Sequence, residues 1–230
     1  MRNNTLSTVL FMKIASYIDH TFLKPTTLVR DIELLCTEAT LHQFAAVCVP
    51  PPFAKFAKGL IEGSGVKTAT VIGFPFGYSA IESKITETLL ALVDNVDELD
   101  VVANLSAIKN GDWNFVKHEG ENIIPIIHKK EKKVKVIIES GVLTDEEIIR
   151  CCEIYGSLGV DYLKTSTGYA EKGATTEAVQ LMRNNLPTSV KIKASGGIRT
   201  YAFAKELIDA GADRLGCSAS VAIVNESNSN

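Results

Sequence analysis

The sequence predicts an α/β protein of the (β/α)8 (TIM) barrel class, in one domain. Short apolar runs alternate with amphipathic stretches of helical period along the chain. Eight such strand–helix units can be counted, with short connections and no linker or internal repeat. The 230 residues are close to the ~250 typical of such a barrel. A doubly wound open sheet is the runner-up. It often carries a Gly-rich turn after its first strand, and none is found here.

The elements follow in order. Residues 1–14 form a weakly patterned N-terminal extension in which a short helix is expected. Tyr17-Ile18-Asp19 is a short first strand, and Leu23-Lys24-Pro25 makes a turn. Val29 to Leu41 is a helix with Ile32, Leu35 and Ala39 on one stripe. Ala45 to Val49 is a strand stopped by three prolines, and Phe53 to Ile61 is a helix ended by glycine. Val66 to Phe74 is the third strand. The helix after Ser79 places Ile81, Ile85, Leu89 and Leu92 at helical spacing. Val96 to Val102 is a strand, and Leu105 to Lys130 is helical with breaks near Gly111 and Pro125.

Lys133 to Ile138 is the fifth strand. Thr144 and Glu147 form a capping box before a helix that buries Ile148, Cys151, Cys152 and Tyr155. Val160 to Thr165 is the sixth strand, and Thr175 or Thr176 opens the helix to Leu186. Val190 to Ala194, the helix from Thr200 to Ala210, and Arg214 to Cys217 complete the alternation. A short helix follows from Ser218. The polar tail from about residue 225 to 230 is expected to fray.

The net charge of -3 argues against a nucleic-acid partner. No apolar run is long enough to span a membrane. The five cysteines (Cys36, Cys48, Cys151, Cys152, Cys217) show no CxxC pair. They read as reduced thiols in a cytoplasmic protein. The four histidines (His20, His42, His118, His128) have no ligand spacing, so neither metal nor cofactor is expected.

Barrel chemistry gathers at the C-terminal ends of the strands. Four strands carry charge at or near that end: Asp100, Glu139, Lys164 and Lys193. Charges are seldom buried unless paired or used. Lys164 and Lys193 lie on consecutive strands, about 4.8 Å apart in a parallel sheet. Burial and a like charge both lower a lysine pKa, which yields an amine able to attack a carbonyl. Asp100 is two strands away from Lys164 and could accept a proton or balance charge. The competing readings are a lysine that reaches solvent at a strand end and a structural ion-pair cluster. Glycines at Ser195-Gly196-Gly197 and Gly216-Cys217-Ser218 follow strands seven and eight, where barrels commonly hold phosphate. Gly168, Gly173 and Arg199 could add to that site. Together these parts fit aldol chemistry through a lysine imine.

Several segments carry a family resemblance from about Ile18 to Val224: Ile18 to Pro25 (IDHTFLKP), Val47 to Pro50, Val71 to Gly77, Asp97 to Val102, Lys135 to Glu139, Lys164-Thr165-Ser166-Thr167-Gly168, and Lys193 to Thr200 (KASGGIRT). In these the chain resembles the deoxyribose-phosphate aldolases, which are class I aldolases. The resemblance implies a (β/α)8 barrel, commonly a homodimer or homotetramer. It implies reversible cleavage of 2-deoxy-D-ribose 5-phosphate, a small-molecule sugar phosphate, to D-glyceraldehyde 3-phosphate and acetaldehyde. Lys164 matches the Schiff-base lysine, Lys193 the second lysine that depresses its pKa, and Asp100 the carboxylate of the proton relay. Asp19, Thr21, Cys48, Glu139, Thr165, Gly168, Gly196, Gly197, Gly216 and Ser218 match substrate-binding positions. The chain departs from the family pattern at Pro50-Pro51, at Asn95-Val96, and at Cys217 and Ala219 around Ser218. The competing functions are another lysine-imine barrel, such as a transaldolase, and a sugar-phosphate binding protein without catalysis.

Overall fold

A computed structural model describes residues 14–229. The helix expected in the first dozen residues lies outside them. Eight parallel strands close on themselves in sequence order. They are β1 (Ile18–Thr21), β2 (Ala46–Val49), β3 (Lys67–Ile72), β4 (Glu98–Val102), β5 (Lys133–Ile137), β6 (Tyr162–Lys164), β7 (Lys191–Ser195) and β8 (Arg214–Cys217). Around them run α1 (Val29–His42), α2 (Ala54–Leu60), α3 (Ile81–Val93), α4 (Leu105–Lys109), α5 (Trp113–His128), α6 (Asp145–Ser157), α7 (Thr176–Asn185), α8 (Tyr201–Asp209) and α9 (Ser220–Ser229).

Alternation along each strand divides its residues between two cores. Outward residues such as Val47, Leu99, Val134, Leu163, Ile192 and Leu215 form one continuous apolar layer under the helices. Inside the barrel the apolar cluster is small: Cys48, Ala69 and Val71 from β2 and β3, with Leu23 and Phe74 above. Val102, Ile137 and Tyr162 also face inward, and the remaining inward positions are largely ionic. Asp19, Glu98, Asp100, Lys135, Lys164 and Lys193 are all buried.

The helices form for the reasons legible in their sequences, with three exceptions. The Thr144 hydroxyl accepts from the Glu147 N–H at 3.3 Å, and the Glu147 carboxylate accepts from the Thr144 N–H at 2.8 Å. Behind that cap Ile148, Cys151, Cys152 and Tyr155 are buried as expected. The first exception is Pro125, which does not break α5. It stands on the exposed face, where the carbonyl it leaves unpaired can meet water. The second is α3, whose buried residues are Lys84, Thr88 and Ala91. The expected stripe lies at the edge of that face: Leu89 is exposed, Ile81 is half-buried, and Ile85 and Leu92, also half-buried, pack against the core. The third is the C-terminal tail, where α9 runs as helix as far as Ser229.

Candidate active site

The closed barrel brings charges from β1, β4, β5, β6, β7 and β8 onto one axis. Lys164 and Lys193 lie on the neighbouring strands β6 and β7, as the strand count predicts, and the structure makes them register partners. Asp100 lies between them. Its Oδ2 accepts from Lys164 Nζ at 2.7 Å and from Lys193 Nζ at 2.8 Å. Its Oδ1 accepts from Lys135 Nζ at 2.9 Å. Asp19 accepts from Lys193 Nζ on one oxygen and from Arg214 at 2.5 Å on the other. Deeper in the barrel, Glu98 pairs with Lys135 and with Arg214 at 3.2 Å. The Arg214 guanidinium also lies over the Tyr162 ring, 5.6 Å from its centroid.

This arrangement sorts the lysines. Burial works against the ammonium form of all three. At Lys193 and Lys135 the attraction of several carboxylates outweighs it, and both pKa values rise above the usual lysine range. At Lys164 burial wins. Its pKa is lowered, with the Lys193 charge adding to the effect and Asp100 opposing it. The same lysines hold Asp100 well below the ordinary carboxylate range despite its complete burial. Asp19 is likewise lowered by Lys193 and Arg214 against the effect of burial. The carboxylates therefore stay ionised, and the proton most easily lost from the cluster belongs to Lys164.

Lys164 is also the one of the three that faces open space. A cavity of about 590 Å³ opens at the C-terminal end of the barrel. Lys164 lies on its floor, while Lys193, Lys135 and Asp100 lie beneath and do not line it. The walls come from the β1 loop (Thr21 to Lys24), the β6 loop (Thr167, Gly168, Tyr169), the β7 loop (Ser195 to Arg199) and the β8 loop (Gly216 to Ser218). Thr21, Gly168, Gly196, Gly197, Gly216 and Ser218 thus meet at the cavity where the sequence reading places them.

Two glycines there have a steric reason. A Cβ on Gly216 would come within 2.9 Å of Ser195 Cβ and 3.0 Å of Lys193 Cε, so only glycine lets the Lys193 stem pass. Gly196, with φ +86°, is held in the left-handed region, and a Cβ on it would come 3.0 Å from Gly173 Cα.

The other expected residues lie one step back. Thr165 is buried, and its hydroxyl accepts from the Ser195 N–H at 3.0 Å, which ties the β6 loop to β7. Cys48 lies in the small apolar cluster, and burial pushes its thiol up to about 11. Glu139 does not reach the Asp100 cluster. Its backbone is left-handed just past β5, and its carboxylate accepts from the Thr167 N–H at 3.2 Å and from the Thr167 hydroxyl. Burial raises its pKa. His20, on the outer side of β1, reaches Ser220 at 2.9 Å and Glu38 at 2.8 Å. Among the described residues no group of three His, Cys, Asp or Glu side chains is placed to hold a metal ion.

Sequence reasoning missed Glu98, Lys135 and Arg214. Their signal was present: Glu98 and Arg214 stand two residues before Asp100 and Gly216 on the inward face of their strands, and Lys135 alternates with Val134 and Val136 on β5. Attention to strand ends alone passed over charges nearer the strand middles and starts.

Comparison with known proteins gives the family. The chain is 48% identical to the deoxyribose-phosphate aldolase of Thermococcus gammatolerans over 93% of its own length and 96% of that protein. It is 47% identical to the deoxyribose-phosphate aldolase of Caldicellulosiruptor saccharolyticus, over 93% and 98%. Among solved structures, the tetrameric deoxyribose phosphate aldolase from Aeropyrum pernix superposes with a TM-score of 0.88 at 33% identity, covering 94% of this chain and 91% of that one. The sequence profile of the DeoC/LacD family aldolases matches residues 13–222. With a match over most of its length, this chain belongs to the DeoC/LacD family of aldolases.

Proposed function

We propose that the chain cleaves 2-deoxy-D-ribose 5-phosphate reversibly to D-glyceraldehyde 3-phosphate and acetaldehyde, through an imine on Lys164. The observation that carries this reading is the placement of Lys164. It is the amine on the cavity floor whose charge burial disfavours, above a carboxylate and a second lysine that keep theirs.

The neutral Lys164 amine adds to the C1 aldehyde carbon of the open-chain sugar, and loss of water leaves a protonated imine. Removal of the C3 hydroxyl proton breaks the C2–C3 bond. Its electron pair moves into the iminium, and D-glyceraldehyde 3-phosphate departs. The remaining enamine takes a proton at C2, and water releases acetaldehyde and restores the amine. Asp100 and Lys193 form the proton reservoir beneath Lys164, with Asp100 Oδ2 bridging both amines. Asp19 holds Lys193 cationic. Thr21, Thr165, Gly168, Gly196, Gly197, Gly216 and Ser218 shape the substrate site, and Cys48 and Glu139 support its walls.

The same reading makes the protein a homodimer or homotetramer in the cytoplasm. The exposed Leu89, Leu90 and Val93 of α3 and Leu34 and Leu41 of α1 support association between copies. No helix among the described residues is long and apolar enough to cross a membrane, and all five cysteines are free.

A coupled assay of glyceraldehyde 3-phosphate release from 2-deoxy-D-ribose 5-phosphate tests the reading. Steady turnover is expected. Tight binding of the sugar phosphate without turnover would replace the aldolase reading with that of a binding protein.

A further inference from the structure

The cavity has an unbalanced charge. Its lining contains three basic side chains, Lys24, Lys164 and Arg199, and no carboxylate. Lys164 has Asp100 as its partner. The Lys24 and Arg199 side chains are both exposed, and neither ammonium nor guanidinium makes a hydrogen bond or ion pair with a described residue. Unpaired cations around a cavity without acids suit an anionic ligand. Arg199 belongs to the β7 loop, among the glycines already assigned to phosphate. Lys24 belongs to the β1 loop and has no assigned role.

The closure of the barrel gives Lys24 its meaning. β1 pairs with β8, so the β1 loop flanks the loop that carries Ser218 and leads into α9. The backbone around Lys24 is fixed on several sides. The Phe22 N–H donates to the Cys48 carbonyl at 3.0 Å. The Tyr169 hydroxyl, from the β6 loop, donates to the Leu23 carbonyl at 2.9 Å. The Lys24 carbonyl accepts from the Thr27 N–H at 3.1 Å and from its hydroxyl at 2.5 Å, closing a turn with Pro25 inside it. The Lys24 ammonium lies over the Phe22 ring, 5.5 Å from its centroid. Tyr169 is itself braced edge-on against Phe74 at 5.4 Å. A cation that only solvated the surface would need none of this support.

We propose that Lys24 is a specificity-determining residue that holds the substrate phosphate from the β1 side, opposite the β7 glycines, with Tyr169 as the tie that positions it. This rests on the aldolase reading and deepens it. The phosphate loops after β7 and β8 supply N–H donors. Lys24 supplies mobile positive charge at the third side and turns the sugar so that its aldehyde end meets Lys164.

The test compares 2-deoxy-D-ribose 5-phosphate with unphosphorylated 2-deoxy-D-ribose in wild type, Lys24→Gln, Lys24→Arg and Tyr169→Phe. For Lys24→Gln, the ratio of kcat/KM for the phosphorylated over the unphosphorylated sugar falls about tenfold, mostly through KM. Lys24→Arg keeps most of that ratio, and Tyr169→Phe lowers it less than Lys24→Gln does. Calorimetric titration with inorganic phosphate gives a readout that needs no turnover, and affinity falls in the same order. A fall in both sugars together, an unchanged ratio, or phosphate binding indifferent to Lys24 overturns the proposal. Failure of the aldolase reading looks different: no turnover of either sugar by the wild type, while phosphate titration still reports on Lys24.

Discussion

Lys164 and Lys84 are two buried lysines in this molecule, and burial lowers the pKa of both. Each has a carboxylate partner: Asp100 at 2.7 Å for Lys164, Glu119 at 2.6 Å for Lys84. They differ in what surrounds the amine. Lys84 projects from α3 into the packing between helix and barrel. Its Nζ also donates to the Val102 carbonyl at 2.8 Å, and the other Glu119 oxygen accepts from the Asn104 N–H at 3.1 Å. Its stem runs so close to Gly73 that a Cβ there would meet Lys84 Cε at 2.7 Å. Every direction from that amine is filled by protein. Lys164 has Asp100 on one side and the cavity on the other. A perturbed lysine is therefore no signature of catalysis by itself. An open cavity beside the amine and a partner carboxylate held ionised separate the two.

Substitutions sharpen that contrast, and the largest effect belongs to Lys164. Lys164→Ala lowers kcat on the order of 10⁴-fold or more with little change in thermal stability, measured by the coupled assay beside a melting curve. Lys84→Met does the reverse. It orphans the buried Glu119 carboxylate and destabilises the fold by about 3–5 kcal/mol in denaturant titration. Its deficit shrinks as pH falls. The pKa of buried Glu119 already stands above the ordinary carboxylate value, so the folded variant takes up a proton more readily than the unfolded chain and gains stability toward acid. A deficit independent of pH would mean that Glu119 finds another partner.

Asp100→Asn lowers kcat by about 10²–10⁴-fold, because the reservoir beneath Lys164 loses its acceptor. Two pH profiles then test the tuning with opposite signs. Asp100 raises the Lys164 pKa and Lys193 lowers it. The acid limb of kcat/KM, where Lys164 becomes protonated, moves to lower pH in Asp100→Asn and to higher pH in Lys193→Met. An unmoved limb in Lys193→Met assigns the tuning to burial alone. The smallest effect is at Glu139, which touches Thr167 and not the lysines. Glu139→Gln keeps an acceptor toward the Thr167 N–H and raises KM only about threefold, read from the same assay.

The same pair of lysines shows what the sequence can carry. Lys164 was legible because a lysine beside Leu163 in a short apolar strand conflicts with its surroundings, and the conflict is local. That Lys164 and Lys193 lie on consecutive strands followed from counting eight alternations, which also needs only local pattern; their register did not. Lys84 was not legible. Its partner Glu119 is 35 residues away on another helix, and nothing near Lys84 in sequence announces a buried charge. Hence the α3 stripe was phased on its leucines, and the true buried face, Lys84, Thr88 and Ala91, was passed over. Glu98, Lys135 and Arg214 fall between the cases: their strand phase was readable, but their mutual pairing exists only once β1, β4, β5 and β8 close into a ring.

The central claim is that Lys164, and not another buried amine, forms the covalent bond to substrate. Incubation with acetaldehyde, reduction with borohydride and peptide mapping test it directly. The account predicts a single added two-carbon mass, on the peptide carrying Lys164, with Lys84, Lys135 and Lys193 unmodified. An unmodified Lys164, or modification confined to surface lysines, would contradict it and leave the barrel's ion cluster as a binding scaffold.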